Sequence, residues 1–191
     1  MISHQEISAY ILLGGKSSRM GKDKATMLWN QIPMYEHVCN VANQITANIH
    51  LVSSRNEHSL IERSIVSDLY VNMGPAAAVY SALMHCITKY ALLLTCDMPL
   101  IHAALLSDLI ENAKENSINL CKADERDYPF PGLYPITCTK SWKKLLDNGE
   151  RSVLKICNQL NAVKVVFDHD MEAFMNVNTR SDFDKLIRIN K

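Results

Sequence analysis

The sequence of 191 residues lacks a net charge, a long apolar run and any close pair of cysteines, and each absence excludes a class of protein. Lysine plus arginine and aspartate plus glutamate number 20 each, whereas a nucleic-acid-binding protein normally has a clear basic excess. The longest apolar runs, such as residues 90–94, are far shorter than the ~20 residues of a membrane-spanning helix. The first residues also lack the charged and apolar regions of a signal peptide. We therefore expect a soluble, cytoplasmic protein without a nucleic-acid or membrane partner.

The six cysteines are scattered at positions 39, 86, 96, 121, 138 and 157. No two of them have the C-x-x-C spacing that many zinc sites use, and a disulfide scaffold is usually a much shorter chain. We therefore expect reduced thiols in a core. Hydrophobic residues make up 48% of the sequence, which is enough for a globular domain with a sizeable core.

Apolar runs and helical apolar spacing alternate along the chain. Continuous apolar runs predict buried strands, because the strands of a parallel sheet are covered on both faces. The predicted strands cover residues 8–13, 49–53, 64–66, 91–96, 118–121 and 163–167. The predicted helices cover residues 34–45, 76–87, 105–113, 142–146, 153–160 and 181–189, the last one capped by Ser181. Residues 128–132, with two prolines and a glycine, predict a turn. The alternation predicts one α/β domain with helices on both faces of an open, mostly parallel sheet.

A loop rich in glycine and cations follows the first predicted strand. Residues 12–24 read LLGGKSSRMGKDK, with three glycines and four lysine or arginine residues. Glycines let backbone N–H groups approach an anion closely, and several cations indicate more than one phosphate. Asp97 follows another predicted strand. Since ligands of open α/β sheets bind outside the carboxyl ends of the strands, we expect the loop and Asp97 at one edge of the sheet.

The loop differs from three known phosphate-binding loops. Five residues separate Gly15 from Gly21, one more than in the P-loop, and Asp23 follows Lys22 where the P-loop has its Ser or Thr. The G-x-G-x-x-G pattern of dinucleotide-binding loops is absent. The glycine loop of protein kinases lies on a hairpin and works with a lysine on a later strand. None of the three describes this loop.

The loop resembles the signature of the molybdenum cofactor guanylyltransferase family, L-A-G-G-x-S-x-R-M-G-x-D-K, at every position except Leu13. Three further motifs of that family resemble segments of this chain in the same order: Gly74-Pro75 before a predicted helix, CDMP at 96–99 and NVNT at 176–179. The resemblance thus extends over nearly the whole chain. It implies a three-layer α/β/α, Rossmann-like nucleotidyltransferase fold in a single domain of residues 1–191. Within it, the implied nucleotide-binding half is 1–115 and the second-substrate half is 116–191.

The resemblance also implies an activity, which is the transfer of GMP from GTP to the terminal phosphate of molybdopterin with release of pyrophosphate. Mg²⁺ is the implied cofactor, and a transient contact with a protein that delivers molybdopterin or accepts the product is a further expectation. The implied catalytic residues are Arg19, Lys24 and Asp97, of which Asp97 holds the metal. The implied nucleotide-binding residues are Leu12, Leu13, Gly14, Gly15, Lys24, Ser53, Asp68 and Asp97. Asn176 and Asn178 are implied on the second-substrate side.

Several of these residues have an alternative, purely structural role. Asp97 would then cap the helix that follows it, and Asp68 would be an ordinary turn residue. Ser53 stands where relatives often carry Asn near the guanine, and its alternative is a plain strand-end serine. Arg19 and Lys24 are the cations best suited to the triphosphate, because a guanidinium fork and an ammonium both bind phosphate oxygens.

Three other functions remain as alternatives. The sister cytidylyltransferases that act on the same pterin resemble L-A-A-G in the loop, so the pair Gly14-Gly15 favours guanine. A sugar-phosphate nucleotidyltransferase tends to be a longer chain. A non-catalytic nucleotide-binding regulator would tolerate the loss of Arg19, Lys24 or Asp97, and all three are present.

Overall fold

A computed structural model of the protein describes residues 1–14, 23–55, 58–59, 61–70 and 73–189. The strands in these ranges are β1 (Ile7–Leu12), β2 (Leu28–Trp29), β3 (Ile32–Pro33), β4 (Ile49–Ser53), β5 (Ile65–Ser67), β6 (Tyr90–Thr95), β7 (Asn119–Ala123), β8 (Arg126–Pro135) and β9 (Val163–Phe167). The helices are α1 (Met34–Ala42), α2 (Pro75–His85), α3 (Ala103–Glu111), α4 (Thr139–Asp147), α5 (Val153–Gln159) and α6 (Arg180–Ile189). None of these helices has the length and apolarity needed to cross a bilayer.

Seven of the described strands form one mixed sheet in the order β5-β4-β1-β6-β8-β7-β9. The first four strands of this order are parallel to one another. β8 is antiparallel to both of its neighbours, β6 and β7, and β9 is parallel to β7. β2 and β3 pair separately as a short antiparallel hairpin. The predicted open, mostly parallel sheet is confirmed, and β8 is its one reversed strand.

The side chains of β1 alternate between two cores, one on each face of the sheet. Ile7, Ala9 and Ile11 belong to the core that includes the inner faces of α1 and α3. Tyr10 and Leu12 belong to the core formed with α2, α4 and α5. A strand with apolar residues on both faces is stable only when both faces are covered. The three-layer α/β/α architecture is therefore as predicted, and it follows directly from the unbroken apolar runs.

The predicted proline-rich turn is wrong, because its residues lie inside β8. The pairing of β8 with β7 shifts at this point: Leu120 pairs with Gly132, but the next residue, Cys121, pairs with Tyr128. The residues between these two pairs, which include Pro129 and a second proline, form a bulge and pair with neither neighbouring strand. Proline lacks the N–H that a regular strand would need, so a bulge accommodates it. The sequence shows the prolines but not the bulge.

The predicted cap of the last helix is also wrong. α6 begins at Arg180, and the residue before it, Thr179, accepts a hydrogen bond from the Asp182 N–H at 3.2 Å. The carboxylate of Asp182 accepts a bond from the Thr179 N–H at 2.8 Å in return. This reciprocal capping box leaves Ser181 inside the first turn. It fixes Thr179, the last residue of the NVNT motif, at the start of α6.

All six cysteines are free thiols, and five of them are buried. Burial raises the pKa of Cys39 and of Cys138 to about 12, so both stay protonated at neutral pH. Such thiols act as small apolar core residues.

Candidate active site

The carboxyl ends of β1 and β6 place the start of the glycine-rich loop beside Asp97. These strands are parallel neighbours, and Cys96 N–H donates to the Leu12 carbonyl oxygen at 3.1 Å just beyond the end of β6. Leu13 is buried, whereas Gly14 is exposed and has a φ of +87°, which glycine adopts without strain. The loop and Asp97 therefore share one edge of the sheet.

The predicted residues Gly15 and Arg19 lie within 15–22, outside the residues that the structure describes. Lys16 and Lys22 lie in the same segment. The roles of Gly15 and Arg19 stay predictions.

Three polar side chains that are far apart in the sequence meet at this edge. Lys24 Nζ donates to Asn178 Oδ1 at 2.5 Å and lies 3.9 Å from Asp97 Oδ2. Val177 N–H donates to the Asp97 carbonyl oxygen at 2.8 Å, so the NVNT segment is joined to the end of β6. Each of the three side chains is one that the sequence analysis selected. Together they give a cation, a carboxylate and an amide oxygen within contact distance, a combination that suits a phosphate and its counter-ion.

Asp97 has one carboxylate oxygen that accepts no hydrogen bond from any described residue. This atom, Oδ1, is buried, while the side chain as a whole is 22% exposed. A buried carboxylate oxygen without a donor is energetically costly, and a bound cation would remove that cost. The described residues contain no group of three His, Cys, Asp or Glu able to hold a metal. The unpartnered Oδ1 of Asp97 is an oxygen donor of the kind that hard divalent cations prefer, so this residue fits such a cation.

The helix that follows Asp97 has a different cap. α3 begins at Ala103, and the imidazole of His102 accepts a hydrogen bond from Leu105 N–H at 3.3 Å. The alternative that Asp97 caps this helix is therefore wrong. Its carboxylate faces Lys24 instead.

A hydrogen-bonded network of buried and partly buried residues lies beside Lys24. Ser53 Oγ is 2.6 Å from His58 Nδ1, and His58 Nε2 contacts the Asp23 carboxylate. Arg55 Nη1 also lies 3.0 Å from that carboxylate, and Arg55 N–H donates to Ser53 Oγ at 3.0 Å. The role of Ser53 at the nucleotide stays a prediction, but its hydroxyl already has two partners. His58 was not predicted, because a single histidine outside every motif carries no signal.

Asp68 and Asn176 make local contacts. Asp68 Oδ1 accepts hydrogen bonds from Ser81 Oγ at 3.0 Å and from Tyr70 N–H at 3.1 Å, which fixes the turn after β5. Asn176 donates to the Phe174 carbonyl oxygen at 3.3 Å. The predicted substrate contacts of both residues stay predictions.

Comparison with known proteins relates this site to one family. A sequence profile described as the MobA-like NTP transferase domain matches residues 9–164. A probable molybdenum cofactor guanylyltransferase from Flavobacterium johnsoniae is 34% identical over 68% of this chain and 69% of its own length. The molybdenum cofactor guanylyltransferase from Serratia proteamaculans is 30% identical over 94% of this chain and 93% of its own length.

The fold of this chain is also similar to that of a solved structure. The crystal structure of molybdopterin-guanine dinucleotide biosynthesis protein A from Archaeoglobus fulgidus superposes with a TM-score of 0.82 and 21% identity, covering 96% of this chain and 98% of that one. The profile match spans every strand from within β1 to within β9, and so includes Lys24 and Asp97. The chain therefore belongs to the MobA-like NTP transferase family, which includes the molybdenum cofactor guanylyltransferases.

Proposed function

We propose that this chain transfers GMP from GTP to the terminal phosphate of molybdopterin, giving the guanine dinucleotide cofactor and pyrophosphate. Family membership supports a nucleotidyl transfer, and a relative that matches over nearly the whole chain is named for this activity. The observation that carries the proposal is the meeting of Lys24, Asp97 and Asn178 at the carboxyl end of β6. These are the groups that two phosphate-bearing substrates require.

The proposed reaction is a displacement at the α-phosphorus of GTP. A terminal phosphate oxygen of molybdopterin forms the new P–O bond, and the bond from the α-phosphorus to the oxygen that bridges to the β-phosphate breaks. Pyrophosphate leaves with the electron pair of that bond. A phosphate monoester has a second pKa of ~6, so the attacking group is largely ionised at pH 7 and needs no general base. The protein must align two anions and offset their repulsion.

Lys24 is the described cation that we assign to the triphosphate. The contact with Asn178 Oδ1 restricts its rotamers, so less side-chain entropy is lost when a phosphate binds. Arg19 is proposed as the second cation. The backbone of residues 12–15 is proposed to contact the base and ribose.

Mg²⁺ is the proposed metal, with Asp97 as its protein ligand through the unpartnered Oδ1. When bound, Mg²⁺ would neutralise negative charge on the triphosphate. Asp97 Oδ2 faces Lys24 at 3.9 Å, so the carboxylate is oriented before any ligand binds. This orientation is the contribution of the chain itself.

Each remaining predicted residue is assigned to one of the two substrates. Ser53 and Asp68 are proposed to line the nucleotide side, and Asn176 and Asn178 the second-substrate side. A protein that delivers molybdopterin or accepts the product is the proposed partner. Because all six cysteines are free thiols, we propose a reducing, cytoplasmic location.

Pyrophosphate release from GTP and molybdopterin with Mg²⁺ tests the proposal. We expect release with GTP and none with CTP. Release with CTP alone would assign the cytidylyl transfer, and release with a sugar phosphate in place of molybdopterin would assign a sugar-phosphate nucleotidyltransferase. Binding of GTP without pyrophosphate release from any pair would indicate a non-catalytic regulator.

A further inference from the structure

His58 is a buried histidine that the proposed reaction does not use. Its side chain is 1% exposed, and both ring nitrogens have side-chain partners, Ser53 on one side and Asp23 on the other. Ser53 is the last residue of β4, and Asp23 immediately precedes Lys24. The imidazole therefore joins the end of a rigid strand to the segment that carries the proposed phosphate-binding lysine.

The donors and acceptors define the direction of each hydrogen bond in this network. An ionised carboxylate only accepts hydrogen bonds, so His58 Nε2 carries the proton that is donated to Asp23. In the neutral imidazole, Nδ1 is then the acceptor, and the Ser53 hydroxyl donates a hydrogen bond to it. The Ser53 oxygen in turn accepts the Arg55 N–H at 3.0 Å, so every member of the network has its partner. A fully satisfied buried network specifies one conformation.

Asp23 in turn restrains the backbone around Lys24. Its Oδ1 accepts the Ala25 N–H at 3.1 Å, and its carbonyl oxygen accepts the Thr26 hydroxyl at 3.4 Å. Met27 N–H donates to the Lys24 carbonyl oxygen at 3.2 Å and closes a turn over residues 24–26. The Asp23 carboxylate thus organises the turn on which Lys24 sits, while His58 fixes that carboxylate.

The charge of Asp23 gives a second reason for this arrangement. A carboxylate next to a triphosphate site would repel the ligand. Arg55 lies 3.0 Å from Asp23 Oδ2 and offsets this charge, and His58 Nε2 meets the same oxygen. Both partners also hold the carboxylate in one orientation.

We propose that His58 is a positioning residue for the nucleotide: by holding Asp23 against the end of β4, it sets the place of Lys24 opposite Asp97 and Asn178. The inference rests on the proposed nucleotidyl transfer, and it deepens it by adding a residue that touches no substrate. Displacement of Lys24 would remove its charged contact with the triphosphate, and the loss of one such contact costs about 10- to 100-fold in affinity. A defect at His58 should therefore appear mainly as weaker GTP binding.

Two substitutions separate positioning from packing. His58→Gln can present an amide N–H near the former Nε2 and keep the bond to Asp23, whereas His58→Asn can reach only the Nδ1 side and keep the contact with Ser53. Both replace the imidazole by a smaller amide, so both leave space in the core. They differ in which bond survives.

The experiment measures the Kd of Mg²⁺–GTP by titration calorimetry and the free energy of unfolding by urea, for wild type and both variants. We expect His58→Asn to weaken GTP binding about tenfold or more, and His58→Gln to stay within about threefold of wild type. Equal Kd values for the two variants, or stronger binding by His58→Asn than by His58→Gln, would overturn the proposal. If either variant does not fold, Asp23→Asn replaces it in the same titration: a Kd equal to that of wild type would then overturn the proposal, and a weakened Kd would support it.

The titration requires no transfer to the second substrate. If wild type binds GTP but releases no pyrophosphate with molybdopterin, the proposed reaction fails while the role of His58 is still decided by the Kd values. For any variant with weaker binding, kcat and KM for GTP add a second readout. A rise in KM with nearly unchanged kcat supports positioning, whereas a loss of kcat at unchanged KM contradicts it.

Discussion

Replacement of Asp97 by Asn should abolish transfer without destabilising the protein, and the two effects can be estimated separately. The substitution keeps the size of the side chain but removes its charge. At 3.9 Å from Lys24, the charge interaction is about 4 kcal/mol at an effective dielectric constant of 20. Desolvation of both groups offsets most of it, so the net loss for a partly exposed pair is about 1 kcal/mol or less.

The buried Oδ1 atom of Asp97 has the opposite effect on the free energy of unfolding. Oδ1 of Asp97 has no hydrogen-bond partner among the described residues, and an unsatisfied buried polar atom costs about 1–3 kcal/mol. A neutral amide lowers that cost because it carries no ionised oxygen. We therefore expect the free energy of unfolding without metal to stay within about 1 kcal/mol of wild type, or to rise. Activity should fall by about 10³-fold or more, which corresponds to roughly 4 kcal/mol of lost transition-state stabilisation.

Urea unfolding and pyrophosphate release, measured on the same preparation, test this prediction. Asp147→Asn is the matched control, because Asp147 forms an exposed ion pair with Lys143 at 2.6 Å and should leave activity unchanged. The reasoning would be refuted by near-normal turnover of Asp97→Asn. It would also be refuted by a loss of more than about 2 kcal/mol in stability that accounts for the lost activity by itself.

Three further predictions concern the scaffold. Gly132→Ala should lower the free energy of unfolding by about 1–3 kcal/mol in urea titrations, because its Cβ would lie 2.6 Å from the Pro129 carbonyl oxygen; an unchanged midpoint would contradict this packing. Cys39, whose pKa burial raises to about 12, should react slowly with a soluble disulfide reagent at pH 8 and rapidly only in denaturant. Because the pKa of Cys39 is higher in the folded than in the unfolded protein, the protonated thiol favours the folded state. This contribution to the free energy of unfolding is complete below the usual thiol pKa of about 9 and is lost as the pH rises towards 12. The Thr179 hydroxyl, and then the backbone N–H groups beside it, lower the pKa of Asp182, so Asp182→Asn should cost at most about 1 kcal/mol at pH 7 and nothing at a pH below the lowered pKa. A cost that persists in acid would show that the charge is not responsible.

Local patterns predicted most of the regular structure. The bounds of β4 and β9 agree with the predicted strands, and β1 and β6 differ from them by one residue at each end. β6 is recognisable because burial on both faces requires a nearly unbroken apolar run, whereas β9 alternates between buried and exposed residues, as a strand covered on one face does. The hairpin of β2 and β3 was not predicted, since strands of two residues are too short to show any periodicity. β8 was missed because its bulge depends on pairing with both neighbours.

Part of the site was predictable from the geometry of a parallel sheet. Asp97 and the start of the loop were expected at one edge, because the carboxyl ends of parallel strands always share an edge. The contact between Lys24 and Asn178 joins residues 154 positions apart, and no local pattern specifies it. The buried bond between His58 and Asp23 had no sequence signal at all.

By itself, the sequence determined the layered α/β architecture, through runs of apolar residues, and it carries four motifs that resemble those of the family in the same order. Tertiary structure alone decided which polar atoms meet. The sheet register brings Asn178 to Lys24 and leaves Asp97 Oδ1 buried with no hydrogen-bond partner among the described residues. It also encloses His58 between Ser53 and Asp23. Side-chain contacts of this kind depend on distances across the folded sheet, which spacing along the chain does not encode.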